Sequence, residues 1–498
     1  MEQWRFPPNA VRILAMNQSQ KNEEALDIIL EAVQRYQNRG PAELREYLRT
    51  DLLNHLHKIT DLDKREYVIG TEGSNMVFEI AERFLNNERD ERHRVDLEKF
   101  SRAVGDGIAE TFLNLKAESS NSNISKMLAR TLKRTREGFK DRVHYFPCSI
   151  FLTGDKRTLD VGPVKFLSSE DFWSTYKCQI KRDADLLARA NWEQCKTHGN
   201  GEADEAASLA FHQKHAHSTV VGLKRYFDQY LWIGVIEVPA CDETVSREKA
   251  LFLVRGALNI LKLIYGGARS DRLRTSEDQS LTTRSFGLTK DVTGPFSISF
   301  KLAANGNVMG NEWRGLLAGK AKYFFEVAQK ILTLMMGFSS PPPLCDRFMG
   351  ALSWYGDGVS ESVPSAKIVK FVSAIESLVG TGEEKDSGGK VVRGVTEIVT
   401  VRAAIFLSRA VEMRYDEAHS KIKKIYSSRS ELVHGSVSPF DVSHQSIANE
   451  AAKVAQMVLL AGLDYFEFLG WEKPSLNAKG LTTEFKKFEK DFNDNVTL

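Results

Sequence analysis

The spacing of apolar residues changes twice along this chain, and each change restricts what can be built from it. Up to about residue 140 apolar side chains recur at helical intervals, as in Ala25, Ile28, Ile29, Ala32, Val33 and Tyr36 within Glu24 to Tyr36. Leu44 to Ile59, Asn75 to Phe84 and Leu97 to Leu115 repeat the pattern. Such a stripe lies on one face of a helix and must be covered by another element. From about residue 143 the period shortens. Tyr145 to Leu152 and Thr158 to Leu167 are β-rich runs about a turn at Gly154-Asp155-Lys156. Tyr230 to Val238 and Phe296 to Leu302 are further strands, with helical stretches at Thr219 to Tyr226 and Leu251 to Ile264. After about residue 315 the helical period returns in six segments: Lys320 to Phe338, Asp346 to Tyr355, Ser365 to Leu378, Val391 to Val411, Asp416 to His434 and Ser446 to Leu469. Pro341-Pro342-Pro343 stops the first of these, and Gly380 to Lys390 is a polar joint. The pattern predicts a mainly α protein with a central α+β domain. Its parts are a helical domain over 1–142, a mixed α+β domain over 143–312, an antiparallel helical bundle over 315–472, and a tail over 473–498 that is a last helix or a disordered end.

Charge and cysteine usage narrow the setting. A net charge of +2 in 498 residues leaves no global polycation, so any nucleic-acid contact must come from a local patch. Five widely spaced cysteines suit a reducing compartment better than a disulfide framework. Met1 to Gln20 is polar with Pro7-Pro8 and lacks the apolar core of a secretory leader. Leu251 to Ile264 is broken by Arg255, Asn259 and Lys262, which predicts a buried helix rather than a membrane span. The expectation is a cytoplasmic protein without membrane contact.

Three charged residues occupy positions that apolar stripes would otherwise fill. Ile422, Tyr426, Arg429 and Val433 share one helix face, so a guanidinium sits among three side chains expected to be buried. Burying that charge is costly unless it is paired or lines a polar cavity. Arg402 lies among Val395, Ile398, Val399, Ile405 and Phe406, and Glu376 follows Val372 by one turn. The simplest expectation for those two is a Glu376–Arg402 ion pair that fixes helix register. His434 ends the helix of Arg429, and Gly435 is placed for a left-handed cap.

Arg429 and His434 form an Arg-x4-His pair followed directly by Gly435, with an acidic helix at Phe371 to Leu378 and a preceding helix at Ala351-Leu352-Ser353-Trp354-Tyr355. This set resembles the HEPN superfamily of helical-bundle proteins, closest to the Apea-like HEPN group of bacterial anti-phage and abortive-infection proteins. The resemblance covers roughly the last third of the chain. It implies a HEPN-like bundle over 315–472 and a metal-independent RNA endonuclease of the homodimeric kind, with no cofactor or metal and RNA (tRNA included) as substrate. It implies Arg429 and His434 as the catalytic pair, with Glu376, Arg402, Tyr426 and Ser430 in support. A phage-derived trigger or regulatory partner would activate the nuclease, with the two upstream domains as sensor or restraint modules. The chemistry suits those residue types: histidine transfers protons near neutral pH, and arginine offers a two-pronged fork to phosphate oxygens. Five residues of ideal helix turn about 500°, leaving the two side chains about 140° apart, so they converge only if the last turn unwinds or a second copy contributes. The resemblance implies the second, with two motifs facing each other across a two-fold axis. The competing expectation is a non-catalytic HEPN protein that dimerises and binds a ligand or partner.

Other motifs are weaker. Cys195-x2-His198 with His212, His215 and His217 has metal-like spacing, interrupted by the polar Asn200 to Asp204. Gly266-Gly267, Gly306 and Gly310 make no phosphate loop, and no Gly-x-Ser-x-Gly elbow occurs. The basic run Lys126, Arg130, Lys133, Arg134, Arg136, Lys140 and Arg142 is either a solvated face or a guide for phosphates.

Overall fold

A computed structural model describes residues 18–37, 57–88, 90–152, 158–198, 205–278, 284–290, 296–302, 307, 312–386 and 388–496. Most of Leu44 to Ile59, the Gly154 turn, Asn200 to Asp204, Gly306, Gly310 and most of Met1 to Gln20 lie outside the described residues. The protein is mainly α, with fifteen helices among the described residues and an α+β part built on a five-stranded sheet. It divides into two compact units, Met1–Arg142 with Val238–Lys249, and Val143–Glu237 with Ala250–Leu498.

In the first unit, α1 (Gln18–Gln37), α2 (Gly70–Asn87), α3 (Leu97–Ile108) and α4 (Asn121–Glu137) pack around the hairpin β1 (Lys58–Thr60) and β2 (Glu66–Val68). The end of the segment expected to be helical at Leu44 to Ile59 is therefore strand. Asp96 caps α3 by accepting from the Lys99 amide at 2.8 Å. Leu26, Ile29, Ile80, Phe100, Val104, Ile108 and Leu128 form the core. The run from Leu97 continues past α3 as a π-helical turn, Ala109–Asn114.

The second unit holds most of the sheet, ordered β4-β5-β6-β3-β7, with β3 at Lys140–Ser149, β4 at Leu159–Val161, β5 at Val164–Ser168, β6 at Trp232–Cys241 and β7 at Arg274–Thr275. β4 and β5 are joined by Gly162-Pro163, with Gly162 at φ +59. α5 (Ser169–His198) and α6 (Glu205–Phe227) form a long, largely exposed helical hairpin that the apolar period did not reveal in full. α7 (Glu243–Tyr265) carries the expected buried helix: Leu253, Val254, Ala257, Leu258 and Leu261 are sealed. It lies close to the sheet because Gly234 has no side chain; an added Cβ would stand 3.3 Å from Val254. A second hairpin pairs β8 (Arg284–Lys290) with β9 (Phe296–Leu302) in antiparallel register.

The remaining helices are α8 (Glu312–Ala318), α9 (Lys322–Leu334), α10 (Pro343–Ser360), α11 (Pro364–Val379), α12 (Val395–Val411), α13 (Tyr415–Val433), α14 (His444–Leu469) and α15 (Ala478–Val496). Pro343 and Pro364 open their helices at the first turn, where a missing amide does no harm. α11 packs against α10, α13 and α14. The short pair β10 (Glu384–Lys385) and β11 (Val391–Arg393) fills the joint between α11 and α12. The tail is a packed helix: Leu481, Phe485, Phe488 and Phe492 are buried. No helix among the described residues is long and apolar enough to cross a membrane.

Candidate functional site

Helix α13 packs on α11, α12 and α14 through Ala418, Ile422 and Ile425. Burial fades along its length. Tyr426 is buried, Arg429 is partly covered, and Val433, expected to be buried, is 53% exposed. The helix ends as Gly435 predicts. Gly435 stands at φ +73, its amide bonds Leu432 O, and the Ser436 amide reaches Glu431 O at 2.9 Å, a Schellman closure. His434 is the C-cap residue, with its side chain in solvent and without a hydrogen bond or ion pair to another described residue.

The two buried-charge positions resolve differently from the expected pair. Glu376 does not bind Arg402. Its Oε1 accepts from the Tyr426 hydroxyl at 2.6 Å, and its Oε2 lies 3.5 Å from an Arg429 amino group. Burial, then the Glu376 hydrogen bond, pushes the Tyr426 phenol up, so it stays a neutral donor. Arg402 is sealed and saturated by other groups. It donates to Glu489 at 2.6 Å, Thr381 at 2.7 Å, Val379 O at 3.0 Å and Glu384 at 3.2 Å, and lies 4.7 Å from the Phe485 ring centre. The reason is reach: α15 and the β10 segment bring two carboxylates to Arg402, while Glu376 faces α13 instead. Arg402 is thus a structural tie and stands apart from Arg429.

Arg429 is the opposite case. Among the described residues the contact to Glu376 is its one ion pair, its Nε is buried with no hydrogen-bond partner, and its Cζ is 6.0 Å from the Tyr426 ring centre. Ser430 is half-buried and lends its carbonyl to the His434 amide. No hydrogen bond joins the Arg429 and His434 side chains within one chain, in keeping with the helical angle between them.

Two supporting residues escape sequence reasoning. Arg347 of α10 donates to the carbonyls of Ser377, Leu378 and Gly380, closing the C-terminal end of α11 and so fixing the helix of Glu376. Its partners are backbone atoms, which leave no signature in a sequence. His444, almost fully buried, bonds Ser438 O at 2.8 Å through Nε2 and pins the segment after His434. That segment exposes Phe440 and Val442 at 88% and 92%.

The basic run is largely committed elsewhere. Arg130 and Arg134 hold the buried Glu110, Arg136 holds Glu91, and Arg142 donates to Cys241 O. His212 is half-buried and His215 and His217 are exposed along α6. Among the described residues no group of three or more His, Cys, Asp or Glu could hold a metal ion. No protein-family model, no curated protein and no solved structure matches the chain.

Proposed function

We propose that this protein is a metal-independent RNA endonuclease of the HEPN type, working as a homodimer in anti-phage defence by abortive infection. The observation that carries this reading is the contrast between two arginines of one bundle. Arg402 makes four hydrogen bonds, as a structural guanidinium must when buried; Arg429 has one 3.5 Å contact and an unsatisfied Nε at a partly open position. An under-coordinated cation close in sequence to a solvent-facing imidazole has the parts for phosphate binding and proton transfer. Glu376 orients the fork without saturating it, and the Tyr426 hydroxyl holds Glu376.

One chain does not bring the two groups together, so the reading requires a second copy. Val433, Phe440 and Val442, exposed on either side of His434, supply apolar surface for that contact. In the composite cleft one histidine would deprotonate the 2′-hydroxyl, the other would protonate the departing 5′-oxygen, and the arginines would hold the phosphorane charge. The parts of the chain outside the bundle would sense a phage-derived trigger or restrain cleavage. The alternative, a non-catalytic HEPN protein that dimerises and binds a ligand or partner, draws on the proximity of Glu376, which partly neutralises Arg429.

Induced expression of the wild type beside His434→Ala tests the proposal. Growth arrest and fragmented total RNA are expected for the wild type alone, with both proteins dimeric by light scattering. Fragmentation retained by the variant would refute catalysis by His434.

A further inference from the structure

At the root of the α5–α6 hairpin lies a cavity of about 390 Å³ lined by Glu170, Trp173, Lys224, Asp228 and Tyr230. Its wall is aromatic: Trp173 is 7% exposed, and Tyr230 is a half-buried phenol that burial pushes up to about 12. A cation already uses that wall. The Lys224 ammonium sits 5.6 Å from the centre of the Trp173 ring, inside the range at which an indole face attracts positive charge. Asp228, one turn further along, ion-pairs with the same ammonium. A second carboxylate is left over, because Glu170 is exposed and makes no hydrogen bond or ion pair with another described residue. The cavity therefore offers two aromatic walls and two carboxylates to one ammonium.

We infer that this cavity is a binding site for a guanidinium group, which displaces the Lys224 ammonium from the face of Trp173. Guanidinium fits better than a second ammonium for two reasons. It is planar and weakly hydrated, so it stacks on an indole while its edge donates to carboxylates in pairs. The cavity also exceeds what an ammonium group fills. Lys224 then occupies the face of Trp173 when the site is empty. An anion is disfavoured by the unpaired Glu170 at the mouth.

Calorimetric titration of the full chain with agmatine, putrescine and AMP tests this. Saturable agmatine binding, tighter than putrescine, is expected, with no binding of AMP. Lys224→Met removes the competitor and should tighten agmatine about fivefold, while Glu170→Gln should weaken it by about the same factor. Both side chains are exposed, so the variants should keep the wild-type melting temperature. N-acetylarginine amide separates the sources: binding as tight as agmatine assigns the guanidinium to an arginine of a partner protein, and much weaker binding assigns it to a free small molecule. Absence of agmatine binding to folded Lys224→Met, equal affinity in Glu170→Gln, putrescine binding as tightly as agmatine, or preference for AMP would each overturn the assignment.

Discussion

Replacing Arg402 and Arg429 separately by methionine should separate a structural guanidinium from a phosphate-binding one. Arg402→Met keeps most of the side-chain volume but leaves two carboxylates that faced a sealed cation. Breaking a buried ion pair costs about 3–5 kcal/mol. The lower end applies here, because Glu489 keeps Arg393 at 2.8 Å and Glu384 keeps Lys486 at 3.4 Å. Arg429→Met loses one 3.5 Å contact between partners 27% and 24% exposed, which is worth about 0–1 kcal/mol, and it also removes an unsatisfied buried Nε. The expected gap in stability is therefore about 2 kcal/mol or more, with Arg402→Met the weaker protein. Urea unfolding followed by far-ultraviolet circular dichroism measures it. RNA cleavage should show the other side: Arg429→Met should lose about a hundredfold or more, the usual effect of removing one donor to a developing oxyanion. If Arg429→Met is destabilised as much as Arg402→Met, Arg429 binds helices rather than substrate, and the argument from under-coordination fails.

Two further outcomes follow from single residues. Burial holds the Lys262 amine down to about 8, beneath the 10.5 of a solvated lysine, although it donates to Ser360 at 2.8 Å and Gly356 O at 3.2 Å. The folded state thus loses this proton first, and between pH 8 and 10.5 the unfolded chain holds more; stability from this group should rise across that window by about 3 kcal/mol. The stability of wild type minus that of Lys262→Met should therefore rise from pH 8 to 10.5, and a constant difference would contradict the burial argument. Gly435→Ala meets no atom within 4 Å but forces a Cβ onto φ +73, so a loss of about 1–2 kcal/mol is expected in the same assay; an unchanged midpoint would mean that the left-handed cap does not form.

What a sequence reveals here depends on whether the informative neighbour is solvent or another distant segment. Burial stripes such as Leu253, Val254, Ala257 and Leu261 mark α7 because an apolar face records contact with a core whatever that core is. The α5–α6 hairpin buries little, with Phe172, Trp173, Ala188 and Phe227 the only sealed side chains among its described residues, so its period is faint and does not mark α5. Pairing of charges was illegible for a different reason. Arg402 and Glu489 are 87 positions apart, and no local pattern tells Arg402 to choose α15 over Glu376. Of the candidate site, the helix carrying Arg429 and the cap at Gly435 could be read from spacing, whereas the partners of Glu376 could not. The solvent exposure of Val433 could not, because an apolar residue in register looks the same at a core and at a surface.

The last helix also sets a practical boundary on how the protein can be handled. Phe485, Phe488 and Phe492 lock into rings at Phe406, Tyr465 and Tyr415, while Glu489 from the same turns neutralises Arg402. Trimming the chain after Trp471 would open an aromatic socket and strand a guanidinium inside it. Inactivity of such a shortened protein would report collapse of its scaffold, and a purification tag is better carried at the opposite terminus.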